Sequence, residues 1–272
     1  MPHILNIAHR GARSLAPENT LAAARKALEA GADMWELDVS MTADGEPILM
    51  HDPFLERTCN AQERFPARRP WLVSEFTLAE VQTLDCGSWF NERDPFGQIR
   101  AGAVPEKDQR SYVGQRVPTL REALEFTHDH NWQVSVEIKD ISHQLGDTAI
   151  VEKVVALIEK LDMVDRVLIF SFNPDYLRRV RAANPQLPTA FLTSSGVQDP
   201  PAYLRELGAQ AYNPRVTVVR EKEVHALRSA GFSVYVWTVN DEQTMRELIA
   251  MGVSGMITDF PQTLTRVLQE SH

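Results

Sequence analysis

Short apolar runs alternate with helix-like segments along most of this sequence. Eight runs of four to six residues, mostly rich in Val, Ile, Leu and aromatic side chains, predict buried β-strands. They cover residues 4–8, 34–39, 133–138, 167–172, 189–192, 209–213, 233–238 and 255–258. Runs that are apolar throughout are typical of parallel sheets whose two faces are both covered.

The segments between these strands carry apolar residues at helical spacing, often with a capping residue or Pro at the start and Gly at the end. Helices are predicted from Asn19 or Thr20 to Gly31, and over residues 118–130, 147–161, 174–183, 200–207, 221–230, 241–251 and 260–269. Eight strands that are each eventually followed by a helix make a (β/α)8 barrel. We therefore expect an α/β protein with one TIM-barrel domain over residues 1–272.

One β-hairpin interrupts the alternation after the second strand. Two strand-like segments flank Asp44-Gly45, a pair that favours tight hairpin turns. A turn centred on this pair places Asp38 opposite His51. Glu36 and Asp38 share one face of their strand because side chains alternate. The hairpin is thus predicted to gather two carboxylates and an imidazole.

Residues 53–117 do not continue the regular pattern. They are rich in Pro, Arg and aromatic residues, and one weak helical piece covers residues 77–84. A stretch of this length inside a regular fold is seldom a structureless loop. We predict a small inserted cap over residues 53–117, with a mobile tip of mixed charge at residues 105–110.

Composition and charge exclude some classes of function. The chain has 272 residues, 43% of them hydrophobic, which is enough for a large core. Its net charge of −9 argues against nucleic-acid binding and against electrostatic attachment to anionic lipid. We expect no nucleic-acid partner and no stable membrane association.

The cysteines and the N-terminal residues bear on location. Cys59 and Cys86 have neither metal-site spacing nor the density of a disulfide scaffold, so reduced thiols are expected. The first residues lack the basic and apolar regions of a signal peptide. A cytoplasmic protein is expected.

Polar residues concentrate at the carboxyl ends of the first three barrel strands, where such barrels carry their chemistry. Glu36, Asp38 and Glu137 form an all-oxygen set that suits one hard divalent cation, Mg²⁺ or Ca²⁺. Arg10 and Lys139 then remain for an anionic group, typically phosphate. The alternative for an isolated pair is a simple ion pair of Glu137 with Lys139 or Arg10.

Two histidines lie at the same end of the barrel. His9 follows the first strand and His51 follows the hairpin. Each alone could be a hydrogen-bonded structural residue or a metal ligand. Together they can supply a general base and a general acid near neutral pH, as cleavage of a phosphodiester with an alkoxide leaving group requires. Which histidine has which role is left open.

Three further residues at strand ends have two interpretations each. Phe172 and Trp237 can wall the cavity against substrate or can simply pack in the barrel mouth. Asp259 can cap the last helix or belong to the site.

Nine short motifs follow one another along nearly the whole chain. They are His9-Arg10-Gly11, Pro17-Glu18-Asn19-Thr20, Glu36-Leu37-Asp38, His51-Asp52, Leu55-Glu56-Arg57-Thr58, Gly87-Ser88-Trp89, Glu137-Ile138-Lys139, Trp237-Thr238-Val239-Asn240 and Thr258-Asp259. This ordered set resembles the bacterial glycerophosphodiester phosphodiesterase family, in its cytosolic branch.

The resemblance implies hydrolysis of deacylated phospholipids, such as glycerophosphocholine or glycerophosphoethanolamine, to sn-glycerol 3-phosphate and an alcohol. By motif position it implies the same roles for the histidines, the carboxylates and the cations as those inferred above. It also implies that residues 53–117 shape the substrate entrance. The expected partner is a small glycerophosphodiester, and the expected state is a monomer or homodimer.

Other functions fit parts of the pattern. A lysophospholipase D or a phosphoinositide-type phosphodiesterase would act on lipids and expose an apolar rim, which Trp71, Trp89 and Phe90 could supply. A non-catalytic barrel that binds phosphate esters would lack at least one proton donor or metal ligand. A metal-dependent sugar isomerase fits less well, because such barrels usually offer more metal-ligating histidines and carboxylates.

Overall fold

The barrel is formed by one sheet. The computed structural model describes residues 3–271, so Met1, Pro2 and His272 of the predicted domain lie outside the described residues. The strands are β1 (Leu5–Ala8), β2 (Met34–Met41), β3 (Pro47–Leu49), β4 (Gln133–Ile138), β5 (Val167–Ser171), β6 (Thr189–Thr193), β7 (Ala211–Pro214), β8 (Ser233–Val236) and β9 (Gly255–Thr258). All except β3 are parallel, and they close into a TIM barrel because β1 pairs with both β2 and β9. The predicted fold is confirmed.

Helices cover the outside of the barrel and form part of the insertion. They are α1 (Leu21–Glu29), α2 (Ala61–Arg64), α3 (Leu78–Val81), α4 (Ser88–Arg93), α5 (Glu106–Tyr112), α6 (Leu120–Asp129), α7 (Asp147–Lys160), α8 (Pro174–Ala183), α9 (Pro200–Leu207), α10 (Glu221–Ser229), α11 (Glu242–Met251) and α12 (Pro261–Glu270). Thr20 is the cap of α1, since its side chain accepts a hydrogen bond from Ala23 N. No helix within residues 3–271 is long and apolar enough to cross a membrane.

Strand alternation decides which side chains enter the barrel. On β2, Trp35 and Leu37 are fully buried and pack outward with the helices. Met34 joins the apolar cluster inside the barrel, with Phe170 and other inward residues. Glu36 and Asp38 have the same parity as Met34, so they point inward above that cluster. The barrel therefore holds an apolar floor beneath charged groups.

The hairpin register differs from the predicted one by one residue. Asp38 O accepts a hydrogen bond from Met50 N at 3.0 Å, so Met50 rather than His51 lies opposite Asp38. The reason is the turn, which contains three residues instead of two. Gly45 N donates to Thr42 O at 2.9 Å, and Gly45 takes a positive φ of 79° at the end of that loop.

The insertion between β3 and α6 has its own small core. Leu55, Trp71 and Phe76 pack there with Ile48 and Met50 of the hairpin arm. The insertion contains four short α-helices, α2 to α5, and a 3-10 helix at Val73–Glu75, where the sequence predicted one helical piece. Helices of four to seven residues leave too little periodicity to be recognised.

The tip predicted at residues 105–110 is helical. Most of it belongs to α5, whose Tyr112 is buried and donates its hydroxyl hydrogen bond to Leu15 O at 2.9 Å. Tyr112 also packs edge to face on Phe90. The tip is therefore a helix whose charged face lies opposite an apolar anchor at Tyr112, and its mobility stays a prediction.

The expectation of reduced cysteines is wrong. Cys59 and Cys86 form a disulfide with an S–S distance of 2.01 Å across a sequence separation of 27 residues. Their neighbours bring them together, since Asn60 N donates to Asp85 O and Asp85 N donates to Asn60 Oδ1. Their spacing in the sequence contains no signal for this pairing.

Candidate active site

Three carboxylates meet inside the barrel mouth. Glu36 and Asp38 lie on β2 and Glu137 lies on the adjacent β4, where it is the register partner of Asp38. One ligand oxygen from each carboxylate lies within 4.8 Å of the others, and all three residues are buried. Burial raises the pKa of Glu36 well above its ordinary range, and repulsion from Asp38 and Glu137 adds to this shift.

The same three carboxylates fit a divalent cation. Burial also raises the pKa of Glu137. For Asp38, burial acts in the same direction, but Lys139 and Arg10 outweigh it and hold the pKa of that carboxyl well below its usual range. Three inward oxygen donors with excess negative charge suit a hard cation such as Mg²⁺ or Ca²⁺.

Arg10 and Lys139 line the cavity as predicted, but both are paired with carboxylates. Lys139 Nζ lies 2.6 Å from Glu137 Oε1 and 3.3 Å from Asp38 Oδ1. Arg10 contacts Asp38 through Nε at 3.1 Å and Glu18 through Nη1 at 2.8 Å. Their contact with a phosphate stays a prediction.

The backbone turn after β1 places Arg10. Arg10 has a φ of +55° and Gly11 a φ of +78°. A Cβ on Gly11 would lie 2.6 Å from the backbone carbon of Ala23, so only glycine fits between β1 and α1. The turn directs Arg10 N to Glu36 Oε2, to which it donates a hydrogen bond at 2.8 Å.

His9 is held by a carboxylate from the last strand. Its Nδ1 lies 2.6 Å from Asp259 Oδ1, and Asp259 Oδ2 accepts a hydrogen bond from Asn240 Nδ2 at 2.7 Å. Asp259 is therefore part of the site and not the cap of α12, which is Phe260. Burial lowers the pKa of His9, Arg10 lowers it further, and Asp259 opposes this shift.

His51 has the same arrangement with a different partner. Its Nδ1 lies 2.6 Å from Asp52 Oδ1. Although burial raises the pKa of Asp52, hydrogen bonds from His51 and Arg57 hold it far below its usual range. Because a carboxylate occupies Nδ1 in both histidines, Nε2 is the nitrogen available to exchange a proton.

A cavity of about 340 Å³ joins these groups. Its polar lining consists of His9, Arg10, Arg13, Glu36, His51, Glu137, Lys139 and Thr238. Phe172 and Trp237 form part of the apolar wall, with ring centroids 5.5 Å apart in an edge-to-face arrangement. The two histidines, two of the three carboxylates and both aromatic residues predicted for the site thus share one cavity, and Asp38 is buried beside it against the lining residues Arg10 and Lys139.

Several residues of the site were not predicted from sequence. Asn19 holds Asp38 by donating from Nδ2 to Oδ2 at 2.8 Å and by accepting from Asp38 N at 3.1 Å. Asp52 follows His51 directly, and this adjacency is the one local signal for its role. The partnership of His9 with Asp259 spans 250 residues and has no local signal.

The rim expected of a lipid-directed enzyme is not formed by the residues proposed for it. Trp71 is buried in the core of the insertion, and its indole Nε1 donates to Phe65 O at 2.9 Å. Phe90 is fully buried, and Trp89 is only partly exposed. These aromatic side chains stabilise the insertion and do not present an apolar surface.

Comparison with known proteins agrees with the geometry. The glycerophosphoryl diester phosphodiesterase family matches residues 9–263. A glycerophosphodiester phosphodiesterase from Caldanaerobacter subterraneus is 33% identical over 98% of each chain. A solved structure from Silicibacter pomeroyi has a TM-score of 0.86 and 29% identity, covering 100% of this chain and 95% of that chain. An Oleispira antarctica phosphodiesterase, in complex with the product sn-glycerol-3-phosphate, has a TM-score of 0.78 and 25% identity over 99% and 97% of the two chains. The chain belongs to the glycerophosphoryl diester phosphodiesterase family, and it is an enzyme that hydrolyses glycerophosphodiesters.

Proposed function

We propose that this enzyme releases sn-glycerol 3-phosphate and an alcohol from substrates such as glycerophosphocholine and glycerophosphoethanolamine. His9 and His51 form the acid/base pair, and Glu36, Asp38 and Glu137 hold one divalent cation, Mg²⁺ or Ca²⁺. The observation that supports this proposal most is a single cavity with two histidines, each held at Nδ1 by a carboxylate, beside three buried carboxylates. The product bound to the Oleispira phosphodiesterase is sn-glycerol-3-phosphate, the same compound that we propose this enzyme releases.

Substrate binding uses the positively charged side chains of the cavity. Arg10 and Lys139 already face the inward carboxylates, so a bound diester phosphate completes a set of alternating charges with them. When bound, a divalent cation supplies polarisation of the phosphoryl oxygens. Phe172 and Trp237 contact the carbon skeleton of the substrate through the apolar wall, since Phe172 is 37% exposed beside the cavity.

Proton transfer is divided between the two histidines. One imidazole Nε2 takes the proton of the nucleophile, which is water or the glycerol hydroxyl next to the ester. The other Nε2 donates a proton to the departing alkoxide oxygen. If the hydroxyl attacks, a cyclic phosphate forms, and water then opens it to sn-glycerol 3-phosphate with the roles of the two histidines reversed. Asp259 and Asp52 orient the imidazoles and stabilise the imidazolium form of each ring.

An activated substrate distinguishes the two roles. An aryl diester of glycerol phosphate has a leaving group that needs no proton, so the variant without the acid should recover on it and the variant without the base should not. His9→Ala and His51→Ala are compared on glycerophosphocholine and on the aryl diester. Equal recovery of both variants would refute the division of roles.

The metal site is tested by titration. Metal-stripped protein is expected to release no glycerol 3-phosphate from glycerophosphocholine, and Mg²⁺, Ca²⁺ or Mn²⁺, added separately, should restore release. Glu137→Ala should abolish the restored activity, whereas Glu125→Ala, an exposed residue of α6, should not. Full activity of the stripped protein would exclude the cation from the reaction. Release of product from lysolipid but not from glycerophosphocholine would favour the lipid-directed alternatives.

Other predictions stay untested. They are the single domain over residues 1–272, the role of residues 53–117 in shaping the entrance, and a monomer or homodimer. A cytoplasmic location also stays a prediction, and the Cys59–Cys86 disulfide is more typical of an oxidising compartment. A count of free thiols in denatured protein taken directly from cells tests the cytoplasmic location. Two free thiols would favour the cytoplasm, and no free thiol would contradict it.

A further inference from the structure

A buried carboxylate next to α1 collects three guanidinium groups. Glu18 Oε1 accepts hydrogen bonds from Arg10 Nη1 at 2.8 Å and from Arg57 Nη2 at 2.6 Å, and Glu18 Oε2 lies 3.0 Å from Arg13 Nη2. A buried carboxylate is costly unless it is compensated in this way. Three cations around one acid leave Glu18 with little freedom to move, so it is a fixed anchor.

Arg57 extends this anchor to the catalytic histidine. Its Nη1 donates to Glu18 Oε2 at 3.1 Å, while Nε and Nη2 donate to Asp52, the latter at 3.2 Å to Oδ1. Asp52 Oδ1 is also the oxygen that holds His51 Nδ1. A planar guanidinium can bond both oxygens of two carboxylates at once in a fixed geometry, whereas the ammonium group of a lysine is a single point charge without this fork. A continuous series of side-chain hydrogen bonds therefore runs from Glu18 through Arg57 and Asp52 to His51.

We propose that Arg57 is a positioning residue for the reaction, and that it acts on His51 through Asp52. This inference rests on the proposed role of His51. Within residues 3–271, Asp52 has no side-chain partner other than His51 and Arg57. Without Arg57, the partly exposed Asp52 can turn toward water and take the imidazole with it. Arg57 belongs to the insertion, so the insertion contributes a residue that positions His51, which itself precedes the insertion.

The first test is Arg57→Met, with Arg68→Met as a matched control. The two side chains are 35% and 34% exposed, both lie in the insertion, and each pairs with a carboxylate. Arg68 pairs with Glu80 and packs on Phe76, away from the cavity. A small displacement of a catalytic group costs up to about 100-fold, so Arg57→Met should lower kcat roughly 10- to 100-fold. KM should change much less, because Glu18 keeps Arg10 and Arg13 in place.

A double-mutant comparison separates positioning from a general structural role. In an Asp52→Ala background the path to His51 is already cut, so Arg57→Met should then lower kcat by less than about 2-fold. Arg57→Lys keeps the charge but lacks the planar fork that bonds both oxygens of Asp52 and both oxygens of Glu18, so its kcat should lie between those of Arg57→Met and the unmodified enzyme. If Arg57→Met does not fold, Arg57→Lys carries the same comparison in both backgrounds.

The outcomes are distinct. Unchanged kcat in folded Arg57→Met, or an undiminished loss in the Asp52→Ala background, would overturn the inference. His51→Ala separates this result from the proposed function. If His51→Ala is fully active, the proposed function fails. If His51→Ala is inactive while Arg57→Met is fully active, only the role of Arg57 fails.

Discussion

Replacement of Asp259 by asparagine should reverse the tautomer of His9. Asn240 Oδ1 accepts a hydrogen bond from Asp259 N at 2.9 Å, so the amide of Asn240 is fixed with Nδ2 toward position 259. In Asp259→Asn the new side chain must turn its oxygen to Asn240 and its NH₂ group to His9. His9 Nδ1 then becomes an acceptor, the ring proton moves to Nε2, and Nε2 can no longer take a proton.

The size of the loss follows from the proton transfer that is removed. General acid–base catalysis by a positioned side chain contributes about 10²- to 10⁴-fold, so kcat should fall by that factor, or by roughly 3–5 kcal/mol of activation free energy. The assay is glycerol 3-phosphate release from glycerophosphocholine with the preferred cation, on protein whose thermal unfolding is measured in parallel.

Asp241→Asn provides the control. Asp241 is exposed, lies near the same barrel end and caps α11 by accepting from Thr244 N at 2.9 Å. It has no contact with either histidine, so the same substitution there should leave kcat within about 2-fold and stability nearly unchanged, because asparagine caps a helix about as well as aspartate does. If Asp259→Asn kept half of the original kcat, the reasoning about the His9 tautomer would be refuted.

Two further predictions concern pH and the cation. The pKa of buried His9 is lowered in the folded protein, so the contribution of the uncharged ring to stability is complete above about pH 6.5 and is lost as the pH falls below it. Urea unfolding should therefore show that the wild type loses more free energy of unfolding than His9→Gln does when the pH falls from 7.5 to 5. A difference between the two proteins that does not change with pH would contradict the lowered pKa of His9. Mg²⁺ or Ca²⁺ at about 100 times its Kd should stabilise the wild type by roughly 2.7 kcal/mol and raise its Tm by about 5–10 °C. Glu36→Gln should abolish this response and leave the cation-free protein as stable or more stable, because burial and repulsion raise the pKa of Glu36; an unchanged cation response in calorimetry would remove Glu36 from the site.

The inward carboxylates could be predicted because local rules decide their positions. Alternation along a strand puts Glu36 and Asp38 on one face, and adjacency of the second and third barrel strands puts Glu137 beside Asp38. The order of the strands in the barrel could be predicted from the repeated alternation of strands and helices alone. For these residues, spacing along the chain determines position in space.

Other features depend on contacts that spacing does not encode. An Asp-Gly pair suits both two-residue and three-residue hairpin loops, so the register of His51 could not be decided from the sequence. Arg10 could pair with a phosphate, with Glu18 or with Asp38, and the sequence does not show which. The answer depends on where each side chain ends in space, and Glu18 is eight residues away from Arg10 along the chain. The insertion was least predictable because its helices are short and its disulfide joins segments with no shared motif.

The contact between His9 and Asp259 links catalysis to the order in which the chain is made. His9 follows the first strand, whereas Asp259 follows β9, which pairs with β1 and completes the barrel. A nascent chain that has already formed the carboxylate strands and His51 still lacks the residue that orients His9. On the proposed role of His9, turnover therefore begins only when β1 and β9 pair, so the activity of a refolding or newly synthesised chain would report the closure of the barrel itself.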